Sequence, residues 1–273
     1  MKKYRLKSET IRIPCASGKR RLVILSPKEE SGLLPGILWI HGGGYITGMA
    51  EMVHAGCGKL LAEEFGAVVC SPDYALMPYP IPLEDCAAAL EYMLVHAAEF
   101  GIDPARIVIG GESAGGGLAA ALCLYARDRG IRVRMQIPLY PMLDCRDTES
   151  SRDNHGHIWN TKRNHYGWKR YLRLLDERGS VPGYASAARE KDLSGLPACY
   201  TFVLDGEPFY AETLDYVRRL KEAGVYAEAD VYHGNVHAFD MMTPWTANAR
   251  TARKKLCEAW CRVMEETSDE LLK

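Results

Sequence analysis

The sequence predicts an α/β fold: a mostly parallel, twisted sheet with helices on both faces and an inserted lid. Three observations predict it. From residue 36 onward, short apolar runs bounded by glycine or proline alternate with longer segments of helical periodicity. The apolar runs are continuous rather than alternating, as strands covered on both faces require. One stretch of some fifty charged and aromatic residues, Cys145–Leu196, is too long for an ordinary connection and reads as a lid over the sheet edge.

In chain order, Thr10–Pro14 and Arg20–Ser26 alternate apolar with polar and predict a hairpin turning around Ala16–Lys19. "GILWIHGG" (Gly36–Gly43) and "GAVVCSPDY" (Gly66–Tyr74) predict two buried strands, with helical spacing over Met52–Glu64 between them. Pro78, Pro80 and Pro82 delay the next helix to about Leu83, from where it runs to about Phe100. "RIVIGG" predicts a third strand, Ser113–Arg129 a helix, and Val133–Pro141 a fourth strand. Within the lid a helix is expected over about Lys162–Glu177. Cys199–Gly206 and Ala227–His233 predict the last two strands, Phe209–Ala223 an amphipathic helix between them, and Trp245–Glu266 a final helix.

At 273 residues the chain is within reach of one α/β domain, so residues 1–273 read as a single domain with the lid at about 145–196. A chain of this size buries roughly three quarters of its unfolded surface, enough for a core without disulfides or metal. A net charge of -1 provides no field for nucleic acid or an anionic membrane. The nine cysteines include no CxxC pair, and Cys57, Cys70, Cys86 and Cys123 lie in apolar segments as buried hydrophobes would. The basic start "MKKYRLKSETIRIP" precedes no apolar h-region, and no apolar stretch approaches the ~20 residues that span a bilayer. A reducing, cytoplasmic setting is expected.

The chemistry concentrates at "GGESAGGG", Gly110–Gly117, where a buried strand gives way to an alanine-rich helix. Strand, then Gly111-Glu-Ser-Ala-Gly115, then helix is the context of a nucleophile elbow: a turn so tight that its flanking positions must lack a Cβ. Ser113 would stand above the sheet with the Ala114 N–H beside it at the helix's positive end. The plainer reading makes Ser113 an ordinary helix N-cap. A second glycine run, His41-Gly-Gly-Gly44, ends another buried strand and leaves the N–H groups of Gly43 and Gly44 free to meet an anionic oxygen. With Ala114 these form a candidate oxyanion hole; His41, at the strand end, reads as structural.

"HGGG" followed some seventy residues later by "GESAGGG" resembles the hormone-sensitive-lipase branch of the α/β-hydrolases, with bacterial acetyl esterases as kin. "SPDYALMPYPIPLEDC", "PLYPMLD" and "DLSGLPACYTFV" are similar to family segments as well, and the resemblance runs from about residue 35 to about 260. It implies the α/β-hydrolase fold, a serine nucleophile and the chain order serine, acid, histidine. "YHGNVHAFD" then places the base at His237 and leaves His233 at a variable position. Asp205 and Glu207 both follow the fifth buried strand. Aligned on Pro208-Phe209, the family's acid slot falls on Glu207, with Asp205 as the alternative or a turn residue before Gly206. Where the family carries arginine and glutamate in the "DYALMPY" loop, this chain has Ala75 and Tyr79, which implies that a loop ion pair is missing.

The resemblance implies a carboxylic-ester hydrolase working through Ser113, His237 and Glu207, with no cofactor and no metal. His155, His157 and His165 in the lid show no convincing metal spacing. The polar, aromatic lid fits short acyl esters of small molecules. An amidase or arylformamidase on the same triad, or a non-catalytic small-ligand receptor on this scaffold, are the other readings. Relatives that pair through the last strand and helix imply a homodimer.

Overall fold

Alternation near the N-terminus builds two ten-residue strands, β1 (Leu6–Cys15) and β2 (Gly18–Pro27), paired antiparallel with Cys15 opposite Gly18 at the turn. A computed structural model of the protein describes residues 3–29, 32–175, 180–266 and 268–272. β2 joins antiparallel to β4 (Val68–Pro72). From there the sheet is parallel through β3 (Leu34–Ile40), β5 (Ile102–Glu112), β6 (Met135–Leu139), β7 (Ala198–Leu204) and β8 (Ala227–Tyr232). The order across the sheet is β1-β2-β4-β3-β5-β6-β7-β8.

Helices fill the connections: α1 (Cys57–Phe65), α2 (Ile81–Val95), α3 (Ala97–Phe100), α4 (Ala114–Asp128), α5 (Thr161–Leu172), α6 (Tyr210–Glu222), α7 (Phe239–Met242), α8 (Ala247–Glu265) and α9 (Ser268–Leu271). They cover both faces, which is why the strand runs are continuously apolar. Along β3, Leu38 and Ile40 join the core beneath α2, α4 and α6, while Ile37 and Trp39 join the core beneath α1 and α8.

Three predicted helices differ in detail. Met52–Glu64 is a 3-10 turn at Ala50–His54 followed by α1, parted where Gly56 takes extended backbone. A Cβ on Gly56 would stand 2.2 Å from the Glu112 carboxylate, so that residue marks a close approach as well as a break. The predicted Leu83–Phe100 helix breaks at His96 into α2 and α3. The lid helix stops at Leu172 in a tight turn, Leu175 N–H donating to the Leu172 carbonyl; the rest of its expected span, residues 176 and 177, lies outside the described residues. Asn160 starts that helix by accepting from the Arg163 N–H.

The chain leaves β3 toward β4, then returns to the other side of β3 to form β5. The crevice where the winding reverses therefore opens between the carboxyl ends of β3 and β5, the place where open α/β sheets bind ligands. "HGGG" and "GESAGGG" sit at those two strand ends. All nine cysteines are free thiols, with Cys57, Cys70, Cys86 and Cys123 buried. Among the described residues, no helix is long and apolar enough to cross a membrane.

Candidate active site

Ser113 occupies the bend between β5 and α4 with φ 58° and ψ -120°, a conformation that costs a side-chain-bearing residue about 1–3 kcal/mol. The flanking glycines explain how the bend fits. A Cβ on Gly111 would lie 2.4 Å from the Ile40 carbonyl oxygen, and one on Gly115 2.1 Å from the same atom and 2.4 Å from that of His41. The two strand ends thus touch backbone to backbone, and Ser113 is lifted into the crevice between them. Its N–H bonds to the Leu139 carbonyl and its own carbonyl accepts from Gly117 and Met142, so the strained turn is held on three sides.

His237 lies on the loop after β8. Its Nε2 is 2.8 Å from Ser113 Oγ, and its Nδ1 is hydrogen-bonded to Glu207 Oε2. An ionised carboxylate only accepts, so Nδ1 carries the proton and Nε2 is left to accept from the serine hydroxyl. Glu207 is fully buried after β7, its other oxygen taking the Leu204 N–H at 2.8 Å. Asp205 faces away: it pairs with His233 at 2.9 Å and accepts from the Gly234 N–H at 3.0 Å at the surface. Of the two acids open to sequence reasoning, the one that meets His237 is Glu207.

Gly43 (φ 117°) and Gly44 (φ 62°) turn the chain after β3, and the Gly43 carbonyl accepts from Ile46 and Thr47. Neither glycine donates its own N–H to another described residue. Ala114 opens α4, so its N–H has no partner one turn earlier in the helix. A Cβ on Gly42 would sit 3.3 Å from Ser113 Cβ, which brings the glycine loop against the serine. His41 is buried beneath: its Nδ1 lies 2.8 Å from the Gly42 carbonyl oxygen and its ring stacks on Tyr74 at 4.2 Å. Burial lowers its pKa, so it braces the loop as a neutral ring.

Four non-glycine residues have positive φ among the described residues: Tyr45, Ser113, Tyr140 and Ala238. All four border this crevice: next to Gly44, at the bend after β5, at the end of β6 and next to His237. Sequence reasoning finds only Ser113 among them, because nothing but surrounding structure forces tyrosine or alanine into that region. It also misses the buried carboxyls behind the site. Tyr140 donates to Asp240 at 2.7 Å, and Cys57 Sγ lies 3.3 Å from the other oxygen of Asp240. Glu112 accepts from Trp39 Nε1 at 2.7 Å and is pushed up to about 8 by burial, aided by nearby Asp240.

The lid closes on the glycine loop. A Cβ on Gly167 of α5 would lie 2.7 Å from the Gly44 carbonyl oxygen, and Tyr171 stacks on Tyr45 at 4.0 Å. Trp168 and Tyr171 of the lid helix are buried. His155 and His165 pair with Asp153 and Asp147, and no group of potential metal ligands occurs among the described residues. In the loop lacking the family's arginine, Asp73 is met from the hairpin by Arg21, which also binds Glu51.

Residues 37–241 match the α/β-hydrolase fold family. An arylesterase of Saccharolobus solfataricus is 33% identical over 224 residues, 79% of this chain and 71% of that protein. An acetyl esterase of Salmonella schwarzengrund (strain CVM19633) is 30% identical over 242 residues, 85% of this chain and 73% of that one. Among solved structures, a bacterial heroin esterase superposes with a TM-score of 0.90 at 33% identity, covering 96% of this chain and 85% of that chain. The chain belongs to the α/β-hydrolase fold family, in its hormone-sensitive-lipase-like branch of carboxylic-ester hydrolases.

Proposed function

We propose that the chain hydrolyses short-acyl carboxylic esters of small molecules through an acyl-enzyme on Ser113, with His237 as general base and acid and Glu207 as the acid that orients it. One observation carries this reading: the unbroken hydrogen-bonded line from Glu207 through His237 to Ser113, on a strained bend packed against the glycine loop at Gly42. His237 takes the Ser113 proton as the hydroxyl attacks the ester carbonyl. The N–H groups of Gly43, Gly44 and Ala114 hold the developing oxyanion, each worth about 3–4 kcal/mol of barrier. His237 then protonates the departing alcohol, and water repeats the sequence on the acyl-enzyme.

The likeness to an acetyl esterase supports a short acyl group, and the polar, aromatic lid fits one. β8 forms a sheet edge, which supports a homodimer with twice the 30.4 kDa chain mass in light scattering. Nine unpaired thiols support a reducing cellular setting. Ser113→Ala is expected to lower kcat by about 10⁶ and to abolish labelling by a fluorophosphonate probe. Activity above a hundredth of wild type would overturn the nucleophile. In the same assay, p-nitrophenyl esters should lose activity as the acyl chain lengthens; a maximum at ten carbons or more would overturn the short-acyl reading.

A further inference from the structure

Three aromatic rings surround the His237 imidazole. Tyr140 and Phe209 stand edge-on at 5.1 and 5.2 Å and are both fully buried, so they form its back and side walls. Trp159, at 6.4 Å, is only half-buried and comes from the lid. Its six-membered ring lies directly on Gly44, where a Cβ would be 1.9 Å from Cη2 and 2.6 Å from Cζ2. Its indole N–H donates to the buried Asn164 side chain at 3.3 Å. A Cβ on Gly156 would stand 2.4 Å from the Trp159 carbonyl oxygen, so the chain packs closely there as well as at the ring. The indole therefore spans the gap between the oxyanion loop and the imidazole as a rigid, partly open wall.

Stereochemistry assigns that wall a side. The carbon attached to Ser113 Oγ in the tetrahedral intermediate has three other substituents. Its oxyanion points at Gly44 and its leaving oxygen must reach His237 Nε2, while the acyl group takes the remaining direction. A ring touching both Gly44 and the neighbourhood of His237 lies along the edge between oxyanion and leaving oxygen. We propose that Trp159 is the specificity-determining residue for the alcohol half of the ester, a flat platform on which a planar aromatic alcohol stacks. The proposal rests on the ester-hydrolase reading above and adds the chemistry of the leaving group to it.

The test uses acetates that share one acetyl-enzyme, so differences in kcat/KM report the alcohol alone. Benzyl and cyclohexylmethyl acetate match in size and leaving-group basicity but differ in flatness; ethyl acetate reaches no platform. Trp159→Ala should lower the ratio of kcat/KM for benzyl acetate over ethyl acetate about three- to tenfold, the worth of one aromatic contact. Trp159→Phe should keep most of the benzyl preference, which guards against a merely misfolded alanine variant. Equal losses on all three esters would overturn the proposal, as would unchanged benzyl selectivity in Trp159→Ala. A selective gain on ethyl butanoate over ethyl acetate would place the ring on the acyl side and overturn it too. Wild-type protein inert toward every ester would instead refute the hydrolase reading itself.

Discussion

Glu207 shows how much one carboxylate depends on which of its oxygens faces what. Oε1 is occupied by the Leu204 N–H, so only Oε2 is available to His237. In Glu207→Gln the amide oxygen would keep the Leu204 bond and the NH₂ group would face Nδ1. The imidazole would then carry its proton on Nε2 and could no longer accept from Ser113. By analogy with such a tautomer reversal elsewhere, kcat should fall about 10⁴-fold with little change in stability. Asp205→Asn, whose carboxylate serves His233 and backbone N–H groups at the surface, should leave kcat within about threefold. Steady-state kinetics of the two variants side by side checks both, and a larger loss in Asp205→Asn would reverse the assignment. Ser113 is legible in the sequence because a buried strand, a glycine-flanked serine and a helix follow one another there, and His237 because "YHGNVHAFD" resembles a family segment. The choice between Asp205 and Glu207 is not, because the turn after β7 decides which side chain points inward.

Elements were legible to the extent that burial drives them. The buried strands are all present in chain order, since continuous apolar runs between glycines and prolines have few other uses. Boundaries inside helices were not: the Glu112 carboxylate pressed against Gly56 interrupts one periodic segment for a tertiary reason, and the other breaks at His96, whose ring contacts are with Tyr92, Glu99 and Phe100 close by in the chain. The junction of β5 and α4 is the converse case, where local preference and packing point opposite ways. Alanine in place of a helical glycine ordinarily stabilises by about 1 kcal/mol. Gly115→Ala should instead destabilise by about 3 kcal/mol or more, because the added carbon meets the rigid carbonyls of Ile40 and His41 rather than a movable side chain. Denaturant unfolding measures the difference, and a stabilised variant would mean that β3 and α4 are not in the contact described.

For the molecule as a whole, the buried carboxyls behind the site set how stability responds to pH. Glu112 is held by Trp39 of β3, with Asp240 of α7 and Cys57 of α1 nearby and Tyr140 and Arg253 around Asp240. Burial raises Glu112 from 4.5 to about 8. Burial also raises Asp240 and, behind β6, Glu212, which accepts from the Leu143 and Asp144 N–H groups. An acid raised on folding holds its proton in the native state after the unfolded chain has released it. Between about pH 4.5 and 8 the native state therefore binds the extra proton, and stability falls as pH rises, by at most about 1.4 kcal/mol per pH unit for one such group. Above about 8 the Glu112 contribution is exhausted and its slope vanishes. Glu112→Gln removes that titration while keeping an oxygen for the Trp39 N–H. Its unfolding free energy, measured across pH 5–9, should decline less steeply than that of wild type, leaving the variant relatively more stable at the alkaline end. The residual slope is shared by Asp240 and Glu212 with the other groups that folding shifts, among them His41, whose lowered pKa works in the opposite sense. Parallel curves for the two proteins would show that Glu112 ionises alike in the folded and unfolded chain, and that the polar cluster joining the serine turn to the histidine loop carries its charge at neutral pH.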